Sequence, residues 1–243
     1  MASKRVVDIV FLVDATGSMR DCIDGLKVGL KNFFAYLTDE ERNKLSIRNW
    51  RAKIVGYRDV DFDDEWIINN PFVTTVEDVN SQIDPIVADG GGDEPESLID
   101  ALLTVANMEE ADSSSEPDGY QWRNYRDAAR AIVVFTDATY HPNAQREDYN
   151  GATYEDVARK IAEKRIILEV VTPAEPFDKS VPQAEFEDCY KKLAMADKAE
   201  YLPLRTAQGL PMDFQDIPSN INLFRNFMEQ LAKTVSASVA EVL

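Results

Sequence analysis

RVVDIVFLVDATGSM, residues 5–19, is the stretch that decides how this chain folds. Its first half is an apolar run rich in valine and isoleucine with little polar alternation, the pattern of a strand covered on both faces. The run stops at Asp14 and gives way to small polar residues. From there Ile23, Leu26, Leu30, Phe33 and Leu37 recur at the helical period. A fully buried strand, a tight turn and an amphipathic helix open an α/β unit.

Two further segments repeat the buried-strand pattern: ARAIVVFTD, 129–137, and RIILEVVT, 165–172. RAKIVGYRD, 51–59, mixes polar and apolar positions and is expected nearer an edge, while FVTT, 72–75, and EYLPL, 200–204, are shorter strand candidates. Between them lie helical patterns. Val157 and Ile161 follow Thr153, an expected N-cap, and Ile221, Phe224, Met228, Leu231 and Val235 mark a closing helix that starts near Ser219. Strands alternating with helices predict a doubly wound, mostly parallel sheet flanked by helices, the Rossmann-like class. The polar stretch 111–119 is too short to separate domains, so residues 1–243 are expected to form a single domain.

The 243 residues include 44 acidic and 26 basic side chains, a formal charge of -18. A field of that sign repels phosphate backbones and argues against nucleic acid as a partner. Cys22 and Cys189 are too few for a disulfide framework and read as free thiols. The start lacks the long apolar stretch and cleavage site of a secretory leader, and no segment approaches the roughly 20 apolar residues needed to span a bilayer. The expectation is a cytoplasmic monomer with no membrane association.

Ligands of open α/β sheets bind at the carboxyl ends of the strands, and three polar clusters fall there. The first strand runs into DATGSM, with Asp14, Thr16 and Ser18 in the turn. A later strand runs into FTDATYH, with Asp137 at its tip. GGGDEPES, 90–97, opens the helix that carries Leu98, Leu102 and Val105. Alternate residues of a tight loop point the same way, so Asp14, Thr16 and Ser18 can present three oxygens to one point. Hydroxyls and carboxylates without a nearby cysteine suit a hard cation, Mg²⁺ or Mn²⁺, with Ca²⁺ also possible, rather than Zn²⁺. A plainer reading competes: Thr16 or Ser18 caps the helix, and Asp14 answers its dipole. In GGGDEPES, Asp93 as N-cap with Glu96 three residues on forms a capping box, with Pro95 in the first turn and the glycines permitting a close approach. Both readings can hold together.

These motifs resemble von Willebrand factor A domains. DATGSM is similar to the DxTxS element of their metal-ion-dependent adhesion site, and GYRD (56–59), GGGDEPES and TDATYH follow in the expected order over nearly the whole chain. The set looks most similar to the alpha-kinase-associated and hemicentin-like subgroup. The resemblance implies that Thr16 and Ser18 bind the ion directly, and that Asp14 and Asp137 do so directly or through water. It also implies that an aspartate or glutamate of a protein partner completes the shell. Where the family supplies a further threonine, this chain has Glu96, with Asp93 as the competitor. A carboxylate there tightens the ion and weakens its appetite for an acidic ligand. The expected function is a metal-dependent, non-enzymatic protein-binding module, the alternative being a structural subunit whose metal staples the loops.

Other readings of the chain are weaker. DVDFDDEWIINN, 59–70, lacks the sixth-position glycine and closing glutamate of a calcium loop and reads as a solvated acidic loop. His141, the only histidine, is expected in a surface loop beside Pro142. A phosphatase of the haloacid dehalogenase kind needs a second aspartate where Thr16 stands, and no Walker A, GxGxxG or GxSxG motif follows a strand. Ser18 has no base near it in sequence, so a metal-dependent hydrolase is disfavoured.

Overall fold

A computed structural model describes residues 5–91, 94–206 and 208–242. Six strands form one sheet: β1 (Val6–Asp14), β2 (Asn49–Tyr57), β3 (Ile67–Asn69), β4 (Ala129–Phe135), β5 (Ile166–Thr172) and β6 (Ala199–Pro203). Their spatial order is β3-β2-β1-β4-β5-β6. All pairs are parallel except β2 with the short edge strand β3. Six helices accompany them: α1 (Arg20–Leu37), α2 (Val76–Ser81), α3 (Leu98–Ala106), α4 (Tyr154–Lys164), α5 (Gln183–Leu193) and α6 (Ile221–Val242).

The continuous apolar runs are explained by layers on both faces. Val7, Ile9, Phe11 and Val13 of β1 pack with α1 and α6, whereas Val10 and Leu12 face α3, α4 and α5. On the first face Phe11, Phe33 and Phe34 meet edge to face, their centroids 5.3–6.0 Å apart, and Trp50 stacks on Phe34. Two glycines let α1 lie close against the neighbouring chain. A Cβ on Gly25 would come within 2.6 Å of Ile217, and one on Gly29 within 2.8 Å of Met228 in α6.

Several expectations need correction. FVTT is not a strand: only Val73 pairs, in an isolated bridge with Ala52. The acidic stretch 59–70 is not simply solvated, because it ends in β3 and its first residue, Asp59, is fully buried. α2 and α5 had no expected counterpart. Thr153 does cap α4, through a capping box with Asp156.

The connection from β1 leads to β2 on one side, while β4 lies on the other. The carboxyl ends of β1 and β4 therefore flank the point where the winding reverses, the crevice in which such sheets bind ligands.

Candidate metal centre

β1 delivers Asp14 to that crevice fully buried. Its Oδ1 accepts from the Thr16 amide at 2.9 Å and the Thr16 hydroxyl at 2.7 Å, and its Oδ2 accepts from the Thr136 hydroxyl at 2.9 Å. The chain then turns through a 3-10 segment, Gly17–Met19, before α1. Neither turn nor helix has a side-chain cap, so the plainer capping reading of Thr16 and Ser18 does not hold. Instead the Thr16 and Ser18 hydroxyl oxygens lie 3.5 Å apart, and Ser18 donates to Asp137 Oδ1 at 2.9 Å. Asp14, Thr16, Ser18 and Asp137 thus form one connected group across β1 and β4.

Glu96 joins the group from the middle loop in a way the capping-box reading did not anticipate. α3 begins at Leu98, with Ser97 in the cap position, so Glu96 precedes the helix and cannot be its third residue. It runs alongside the loop after β4: the Glu96 amide donates to Thr139 O at 2.9 Å, and the His141 amide donates to Glu96 O at 3.0 Å. Its carboxylate turns inward. Oε2 is buried without a hydrogen-bond partner, and Oε1 lies 2.9 Å from where a Cβ on Gly91 would stand. Gly91 has φ +74, which a side chain would strain, and a Cβ there would also press on Thr16 at 3.0 Å. Gly92 and Asp93 lie outside the described residues, so Asp93 has no position to compare.

Burial pushes these acids up, and their neighbours add to it. The Asp14 carboxyl is raised mainly by desolvation against the lowering bonds from Thr16 and Thr136. Asp137 rises to about 8 through burial and the Asp14 charge. Glu96 rises to about 9 through burial, then Asp14, Asp59 and Asp137. A cavity of about 480 Å³ opens over them, lined among others by Thr16, Ser18, Gly91, Glu96 and Asp137, with Phe177 and Lys179 on its rim.

Among the described residues no three His, Cys, Asp or Glu side chains gather as a metal cage by themselves. The two hydroxyls are what would complete the set. An oxygen-only donor group, an orphaned buried carboxylate oxygen and a glycine wall together fit a hard divalent cation.

Sequence reasoning missed the supporting contacts. Thr136, one residue before Asp137, orients Asp14. Glu94 Oε1 accepts from the Thr139 amide at 2.8 Å, fastening the middle loop to the loop after β4. His141 is not a free surface residue: its Nε2 lies 2.9 Å from Asp59 Oδ2, and Asp59 Oδ1 also accepts from the Asp61 amide and from Ser97. Asp63 Oδ2 accepts from the Gly91 amide at 3.1 Å. The acidic stretch after β2 therefore braces both loops of the site. Its charge suggested solvation, and only the side-chain hydroxyl beside Asp137 was a signal visible in advance.

Comparison with known proteins bears on the fold. The pilus adhesin SpaC of Lactobacillus rhamnosus GG superposes with a TM-score of 0.55 at 13% identity, over 96% of this chain and 31% of the adhesin. The chain thus spans about a third of that protein, and the likeness is one of fold. Proximal thread matrix protein 1 of the mussel byssus is similar at 13% identity and a TM-score of 0.49, over 93% of this chain and 46% of its own. No curated protein matches the sequence. A family model described as the von Willebrand factor type A domain of Mediator complex subunit 25 matches residues 3–178, which include every strand from β1 to β5 and Asp14, Thr16, Ser18, Glu96 and Asp137. This chain belongs to that von Willebrand factor A family.

Proposed function

We propose that the chain is a non-catalytic protein-interaction module in which Thr16, Ser18, Asp14, Asp137 and Glu96 hold a Mg²⁺ or Mn²⁺ ion that captures a carboxylate of a protein partner. The observation that carries this reading is the Asp14–Thr16–Ser18–Asp137 group with the unpartnered Glu96 oxygen beside it. Buried carboxylates this close repel one another, and a divalent charge relieves that repulsion while offering the partner a Lewis-acidic coordination position. Thr16 and Ser18 would ligate directly, and Asp14, held by Thr136, would orient Thr16. Glu96 adds a charge that strengthens ion retention at the expense of acid capture, so affinity for the partner is modest. The family's Mediator subunit description supports protein partners within a multi-subunit complex.

A non-catalytic role is supported by the fate of the only histidine, which is engaged with buried Asp59 rather than with Ser18. Among the described residues no helix is long and apolar enough to cross a membrane. Cys22 and Cys189 are free thiols, and we place the chain in a reducing compartment inside the cell, together with its complex.

Calorimetry with Mg²⁺ and Mn²⁺ tests the proposal, paired with thermal melts in metal and in chelator. Metal should raise the melting temperature of the native chain by mass action. Ser18→Ala should remove that rise while the circular-dichroism spectrum stays native. Absence of binding at millimolar metal would refute the reading.

A further inference from the structure

β5 carries one acid in an otherwise apolar strand. Glu169 is 1% exposed, on the sheet face covered by α6. Its Oε1 accepts from Ser238 of α6 at 3.2 Å, and its Oε2 is buried without a partner. Its register partner on the edge strand β6 is Glu200, so two carboxylates stand side by side across the ladder. The Glu200 charge in that position disfavours ionisation of Glu169, and a buried carboxyl oxygen without a partner carries a further cost. Glu169 and Glu200 line a cavity of about 520 Å³ between β6 and the second half of α6, with Lys198, Lys233, Ser238 and Glu241 around it.

We propose that this cleft is a second binding site, which takes the guanidinium of an arginine presented by a protein partner between the Glu169 and Glu200 carboxylates. It stands apart from the candidate metal centre and does not rest on the metal reading. A guanidinium fits for three reasons. Its planar fork can bond two adjacent carboxylates at once, it is more weakly hydrated than an ammonium, and it keeps its charge when buried. A divalent ion fits less well, because no third acidic, histidine or cysteine ligand gathers there among the described residues. The lip is the Lys198–Glu241 pair, 2.9 Å apart and exposed on both sides, an interaction weak enough to swing aside for an entering side chain.

Burial, then the Glu200 charge, lifts the Glu169 carboxyl to about 8, so in the free protein it keeps its proton at neutral pH. The groups facing it are Glu200 and Lys198 from β6 and Ser238, Lys233 and Glu241 from α6, and its neighbour on β4 is Val133. An arriving guanidinium favours the ionised form, so one proton leaves Glu169 for solvent and the affinity rises toward alkaline pH.

The test is an amide NMR titration of the full chain with Nα-acetyl-arginine N-methylamide, with the lysine analogue alongside. Saturable shifts are expected at Glu169, Glu200 and Ser238, tighter at mildly alkaline than at neutral pH and at least about tenfold weaker for lysine. Glu169→Gln keeps the side-chain shape and the Ser238 bond and should abolish them. Glu200→Gln should weaken them about tenfold. Shifts that persist unchanged in Glu169→Gln, that fall elsewhere, or that lysine reproduces equally would overturn the proposal.

Discussion

Replacing Glu169 by glutamine should stabilise the protein, and the gain should grow with pH. The carboxyl rises from its ordinary 4.5 to about 8 on folding, with burial as the first cause. A raised acid binds its proton more tightly folded than unfolded. Below pH 4.5 both states are protonated and the group contributes nothing. Between 4.5 and 8 the unfolded state ionises freely, the folded state resists, and stability drains away as pH rises. For these two values linkage puts the loss at about 1 kcal/mol at pH 5 and about 4 kcal/mol at pH 8. Glutamine never ionises, but its amide takes the place of the unpartnered Oε2, which costs about 1 kcal/mol at either pH. The net gain is then near zero at pH 5 and about 3 kcal/mol at pH 8. In a chain of this size that is a rise in melting temperature of roughly 6–12 °C at the higher pH. Thermal and urea melts of both proteins at the two pH values measure it. The titrations of Asp14, Glu96 and Asp137 are shared by both proteins and cancel in the difference. A difference that is flat with pH, or a variant less stable at pH 8, would refute the reasoning.

Three further outcomes are expected. Gly29→Ala should cost about 1–3 kcal/mol by urea melts, since its Cβ would meet Met228 and Phe224 within 3 Å. His141→Ala should destabilise by about 1–3 kcal/mol because it removes the partner of the buried Asp59 Oδ2, and calorimetry should also show weaker Mg²⁺ binding as the braced loops loosen. Glu96→Thr should weaken metal affinity without loss of fold, because Glu96 lies outside α3 and caps nothing; unchanged affinity in a titration would remove it from the site.

The order of buried strands and amphipathic helices was legible along the chain, because covering a strand on both faces leaves a continuous apolar run that needs no partner to be recognised. The placement of polar residues at the strand ends was legible for the same reason: Asp14, Thr16, Ser18 and Asp137 stand at or just beyond the end of such a run. Three-residue β3 and six-residue α2 were not, because their apolar content is too slight to set a period, whereas α5 carries Phe186, Tyr190 and Leu193 at the helical spacing, a signal that was there to be read. Tertiary structure alone decided what Glu96 does. In sequence it has the spacing of a capping box, yet backbone pairing with Thr139 and His141 draws it out of α3 and turns its carboxylate to the site. Asp59 and His141, distant in sequence, come together for a similar reason, and the contact leaves Asp59 fully buried. Local propensity records what a residue can do with its near neighbours, whereas the burial of a charge depends on which distant loop closes over it.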